Sequence, residues 1–392
     1  MRFVALDSWR GIAALMVAAY HFEATWHGHG ASLLANSYLF VDFFFVLSGF
    51  VIAHAYGAKI NSARDLAAFA VRRFGRLWPL AASVIAAFVA VELAKLVLVK
   101  GFGISTGAVP FDPSGYTPAG TLPGHLLLTT ALGLHDGLTW NGPDWSISAE
   151  FWTYLVFGVV ALISGRWRSG GLAVAGLLAA ILLVTRAKHG MDATYDLGLA
   201  RCIYGFMLGQ VIYVLRQKLA FSKLPAATAI EFGVVAIVVC YLCLVSRGRA
   251  AFLAPLVFAP IVLVFSFEQG ALSRALSWGP LRALGGWSYS IYMVHAFVWF
   301  VLAMLFSVWQ RRLGLDFWQI VPGDGGSTRM IVSDNKMALD VLFAAYLAVI
   351  LGLAAITKRW IEDPGRTYFA SLANQVSRGS DAGRHAASQP SL

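Results

Sequence analysis

Ten stretches of this chain are apolar enough, and long enough, to cross a hydrocarbon core of roughly 30 Å, and nothing else in the sequence restricts the fold so severely. They lie at about 6–24, 36–56, 77–99, 145–164, 170–186, 195–215, 226–246, 250–267, 286–308 and 338–357. Lipid offers backbone N–H and C=O groups no partners, so segments of this length satisfy their own hydrogen bonds as helices. The fold expected is all-α, a polytopic transmembrane helical bundle of about ten spans. Composition removes the water-soluble alternative. The chain is 58% hydrophobic and 13% charged, whereas a soluble domain carries roughly 25% charged residues.

Basic residues set the expected orientation, because short loops rich in Lys and Arg stay in the cytoplasm. With the N-terminus inside, about eighteen of the 30 Lys and Arg residues fall in cytoplasmic segments and about nine outside. Both termini are then cytoplasmic and the protein is multi-pass in the inner (plasma) membrane. This asymmetry accounts for the net charge of +10 without a nucleic-acid partner; membrane lipids are its surroundings. The first span holds Asp7, Arg10 and His21 and lacks a small-residue cleavage site, so it reads as a retained helix, not a signal peptide. Cys202, Cys240 and Cys243 lie within spans, where packing explains them better than disulfide or metal chemistry. Long external loops are expected at 100–144 and 309–337. Residues 1–366 form the membrane domain, and 367–392, rich in Ser, Ala and Gly, read as a disordered cytoplasmic tail.

Ionisable residues inside spans are costly and point to a protein-lined cavity. Arg10 and His21 are eleven residues apart, almost three helical turns, so they share one face about 16 Å apart, with Asp7 one turn before Arg10. This face suits the lining of a reaction chamber in which His21 exchanges a proton. A boundary ion pair beside a hydrogen-bonded histidine is the other reading. In FAVRRFGRLWPL, Arg76 lies one turn from Arg72 and Arg73, a cationic surface matched to the phosphates of coenzyme A or simply an anchor at the membrane boundary. NGPDWSISAEFWTYL places Glu150 just inside a span, where it either orients a histidine or complements a helix N-terminus. LGGWSYSIYMVHAFVWF carries Tyr289 and His295 among residues suited to interhelical hydrogen bonding. His27 and His29 lack the further ligands of a metal site, and no metal is expected.

Six segments in order, LDSWRG with Arg10 and then His21, VDFFFVLSGFVI, RRFGR, PDWSISAEFW, SYSIYMVH and IEDPGR, resemble the membrane-bound acyltransferase family 3, the O-acetyltransferase-like integral membrane proteins. The resemblance implies an O-acyltransferase moving an acyl group from cytoplasmic acyl-CoA, acetyl-CoA above all, to a hydroxyl of an envelope polysaccharide, oligosaccharide or glycolipid. It implies His21 as the catalytic histidine with Arg10 its partner, and Arg73 and Arg76, with Arg72 beside them, as donor-binding residues. Glu150 is carried over as a catalytic acid position, and Tyr289 and His295, with Asp7, as substrate-facing positions. No permanently bound cofactor is implied, the acyl-CoA being a substrate. The rival class is a transporter or flippase of an envelope precursor or acyl group, with Asp7, Arg10 and His21 as its polar pathway.

Overall fold

The computed structural model describes residues 3–104, 108–188, 190–219, 224–314, 316–323 and 326–378. In chain order the helices are α1 (Val4–Tyr20), α2 (Ser32–Ala35), α3 (Phe40–Tyr56), α4 (Ala63–Phe102), α5 (Leu122–Leu126), α6 (Trp145–Ile163) and α7 (Arg168–Arg186). They continue as α8 (Gly198–Lys218), α9 (Ala227–Leu244), α10 (Ala254–Phe265), α11 (Ala271–Leu276), α12 (Gly279–Leu313), α13 (Lys336–Thr357) and α14 (Asp363–Arg378). Among the described residues, eight helical runs are long and apolar enough to cross a membrane: α3, α4, α6, α7, α8, α9, α12, and α13 with its continuation. All ten expected stretches hold a helix. The two outside the set of eight are the 17-residue α1, which carries Asp7 and Arg10, and the run Arg249–Phe265 that contains α10.

Helix α4 is 40 residues, about 60 Å of rise, so it extends well beyond the expected span 77–99. Its start is capped by the Ser62 hydroxyl, which accepts from the Asp65 N–H, and its end by Gly103 in the left-handed conformation at φ +65°. The arginine-rich segment therefore rides on the first turns of a rigid helix.

The connecting segments sort into two ends. At one, the Arg168 guanidinium donates to the carbonyls of Gly57 and Ile60, Arg216 to Ser266, Arg72 to Asn374, and the Ala5 N–H to Glu268. At the other, Thr25 pairs with Ile331, Asn36 donates to the carbonyls of Leu242 and Val245, and Arg247 pairs with Asp192. These are called the arginine end and the hairpin end below. Ten alternating helices would group their loops in this way.

Three expectations change. The helical bundle stands, but the loop expected at 309–337 carries regular structure: Trp318–Gly323 and Gly326–Ile331 form an antiparallel hairpin, β1 and β2, with Trp318 opposite Ile331. The loop expected at 100–144 is not wholly external, because its middle dips between α4 and α6. There the indole N–H groups of Trp78 and Trp152 donate to the carbonyls of Leu126 and Leu128, each at 2.8 Å, and Ser148 adds a bond to Leu128. Irregular backbone survives at that depth only with such partners. Finally, the stretch taken for a disordered tail from 367 begins as helix: α14 runs to Arg378 and packs along the first turns of α4, with Phe369 against Gly75 and Phe74. Residues 379–392 lie outside the described residues.

Two glycine contacts set the core. A Cβ on Gly285 of α12 would fall 2.3 Å from the Asp7 carbonyl oxygen of α1, and one on Gly11 2.6 Å from the Gly285 nitrogen. On α3 and α8, a Cβ on Gly209 would fall 2.0 Å from the Val46 carbonyl oxygen. Small residues admit such backbone proximity, which in lipid replaces the hydrophobic drive as the source of helix association.

Candidate active site

Helices α1 and α12 run side by side from the Gly11–Gly285 contact. Ten residues on along each, the rings of His21 and His295 meet at 4.9 Å between centroids. His21 sits at the end of α1, where the backbone leaves helical geometry. Its Nδ1 lies 2.9 Å from the Val17 carbonyl oxygen. A carbonyl oxygen only accepts, so Nδ1 carries the hydrogen and the neutral imidazole presents its Nε2 lone pair elsewhere. His21 lines a cavity of about 550 Å³ together with Tyr20, Glu23, Tyr38, Asp192, Arg201 and Trp299 among others.

A second cavity, about 170 Å³, lies towards the arginine end. It gathers Arg10 from α1, Ser48 from α3, Arg73 and Arg76 from α4, Glu150 and Tyr154 from α6, and Tyr289 from α12. Val41 and Tyr292 line both cavities and form the wall between them. Tyr292 is held in that wall: its hydroxyl donates to the Pro143 carbonyl at 3.1 Å and accepts from Ser146 at 2.8 Å.

Within the smaller cavity the guanidinium groups are spread and braced. Arg73 donates to the Tyr56 hydroxyl at 3.3 Å and stacks 5.1 Å from that ring, while Arg76 lies 5.0 Å over the Tyr289 ring. Arg76 also donates to Glu362, a carboxylate 1% exposed whose other oxygen accepts from Ser290 at 2.9 Å. Asp7 lies 3.4 Å from Arg10 but lines neither cavity.

The structure separates several residues that the sequence grouped. Arg72 does not line the cavity shared by Arg73 and Arg76. It lies about 100° around the helix from Arg73, and its guanidinium donates to Asn374 of α14 at 2.7 Å. Glu150 does not orient His21; it accepts from the hydroxyls of Ser48 and Tyr154 in the other cavity, and the Val17 carbonyl fixes the His21 tautomer. His295 touches the His21 ring but lines neither cavity, and neither of its nitrogens reaches a partner among the described residues. Tyr289 does line the arginine cavity, its hydroxyl donating to the Leu77 carbonyl.

Other residues of the site were given no role in the sequence, although Arg201 stood out with Arg10 and Lys95 as a basic residue within a span. Glu362 belongs to IEDPGR, a segment with an ordinary turn composition and no periodicity to mark a buried acid. Arg201, which lines the larger cavity, forms a two-bond ion pair with Asp42 at 3.0 and 2.8 Å, each 1% exposed or less. Both are charges inside spans, which is the one signal that could have found them.

A family model described as an acyltransferase domain matches residues 3–358. The chain belongs to that family. It is 33% identical over 195 residues, 48% of its length and 96% of the relative, to Protein 2 in the picA locus of Rhizobium radiobacter. It is 28% identical over 357 residues to YrhL of Bacillus subtilis (strain 168), provisionally named a peptidoglycan O-acetyltransferase, and 26% identical over 328 residues to the peptidoglycan O-acetyltransferase OatA of Listeria monocytogenes serovar 1/2a. These two alignments take in 81% and 74% of this chain but 51% and 48% of the relatives, so the chain spans about half their length. No solved structure matches.

Proposed function

We propose that this acyltransferase-family protein is a multi-pass enzyme of the inner membrane that moves an acyl group, acetyl in the first instance, from acyl-CoA to a hydroxyl of an envelope polysaccharide, oligosaccharide or glycolipid. The arginine end faces the cytoplasm in this reading, as the excess of basic residues favours, and both termini lie there. The observation that carries the proposal is the pair of cavities sharing Val41 and Tyr292, with Arg73 and Arg76 on one side and His21 on the other. The names of the two O-acetyltransferase relatives support the acceptor class.

Arg73 and Arg76 bind the phosphates of the donor through charge-assisted bonds, and the thioester reaches the wall. His21 Nε2 takes the proton of the acceptor hydroxyl, whose oxygen attacks the thioester carbonyl. The C–S bond breaks, an ester forms, and coenzyme A leaves as the thiol, which accounts for the transferred proton. Arg10, in the arginine cavity, offsets negative charge developing on the thioester oxygen.

Purified protein in vesicles, loaded with labelled acetyl-CoA on the arginine side and offered envelope glycans on the other, tests this directly. Transfer of label to an ester that is lost in His21→Ala supports it. Movement of an intact solute with no ester formed would instead establish the transporter reading.

A further inference from the structure

The larger cavity has a carboxylate that the proposed chemistry does not use. Glu23 lies just beyond the end of α1, two residues after His21, in the stretch joined to the hairpin. The Ile331 N–H donates to the Glu23 carbonyl at 2.9 Å and the Thr25 N–H to the Ile331 carbonyl at 3.0 Å, so the hairpin fixes this segment from both sides. One carboxylate oxygen accepts from the Trp299 indole N–H at 3.2 Å, and the side chain faces the cavity. No cation pairs with it among the described residues. The cavity's guanidinium is already occupied: Arg201 makes two bonds to Asp42 and one each to the carbonyls of Tyr38 and Ala193. The second carboxylate, Asp192, is tied to Arg247 through one oxygen.

Resting on the transferase reading above, we propose that Glu23, steadied by Trp299, receives a hydroxyl of the acceptor neighbouring the one that reacts, and that this cavity takes an uncharged sugar residue and refuses an acidic one. A carboxylate accepts hydrogen bonds from hydroxyls, and the aromatic rings of Tyr20, Tyr38 and Trp299 offer faces for the C–H surface of a pyranose. An acidic sugar would place a second carboxylate beside a buried one with no free cation to offset either, an arrangement in which both groups do not ionise together.

The test uses the full chain in detergent with acetyl-CoA and matched methyl glycosides, neutral hexosides against the corresponding hexuronosides. The wild type should prefer the neutral member by about tenfold or more in kcat/KM, a ratio within reach of one buried polar contact. In Glu23→Gln the preference should fall below about threefold with KM for the neutral glycoside raised and kcat little changed. An acidic preference in the wild type, or a Glu23→Gln variant that keeps the neutral preference, overturns the inference. Should Glu23→Gln fail to fold, Trp299→Phe keeps the ring and loses the N–H. A raised acceptor KM with an unaltered KM for acetyl-CoA, the second readout, supports the inference, and an unaltered acceptor KM overturns it. Thermal stabilisation of the wild type by neutral glycosides alone reads the subsite without turnover, and its absence overturns the subsite. If instead the wild type binds neutral glycosides but forms no acetyl ester with any of them, the transferase reading fails while the binding result stands on its own.

Discussion

At the residue scale, the arrangement of the arginines gives a sharp contrast. Arg76→Ala should raise KM for acetyl-CoA about tenfold or more, since a charge-assisted contact is lost, whereas Arg72→Ala should leave it within about twofold. Steady-state kinetics with varied donor checks both. Glu362→Ala removes the partner of a buried guanidinium and should destabilise the protein by about 3 kcal/mol, seen as a lower melting temperature in detergent, while also weakening donor binding. The Arg10–His21 alignment was legible in the sequence because 3.6-residue periodicity and the scarcity of charge inside spans both mark it, but the single chamber expected from it is split, Arg10 lining one cavity and His21 the other. The partner of His21 was not legible. A backbone carbonyl has no signature in the sequence, so a carboxylate was expected where Val17 does the work. Arg72 illustrates a different limit: it lies one turn from Arg76 as the spacing says, but Asn374 of α14, distant in sequence, takes up its guanidinium.

At the scale of elements, the contact between α1 and α12 sets the level at which the two histidine rings meet. Gly285→Val would drive a side chain into the backbone of Asp7 and Ser8, and an overpacked contact costs about 1–3 kcal/mol. Thermal unfolding should record that loss. Transfer activity should fall further than stability, because His21 lies on the displaced helix. Each helix of the bundle was foreseen from apolar length, since lipid leaves a spanning segment no other regular form. What escaped was structure made by short, mixed segments: the hairpin, the loop that dips between α4 and α6, and the continuation into α14. These depend on partners far away in the chain, such as the indole groups of Trp78 and Trp152, and local composition does not report them.

At the scale of the whole molecule, the two ends make opposite predictions for labelling. In a background with Cys202, Cys240 and Cys243 replaced by Ala, Ser327→Cys on β2 should react with a membrane-impermeant maleimide on intact cells. Ser371→Cys on α14 should react only after permeabilisation. The reverse pattern would place the arginine end outside and sink the assignment of donor side.

The wall of Val41 and Tyr292 also has a consequence for the cell that houses the protein. If both chambers fill with water, this divide alone stands between them, and a thread of water through it would conduct protons and run down the gradient that drives ATP synthesis. Tyr292, anchored at its hydroxyl by Ser146 and Pro143, is then an insulator as much as a lining residue. Trimming it to alanine should make energised vesicles leak, even in the absence of any acyl donor.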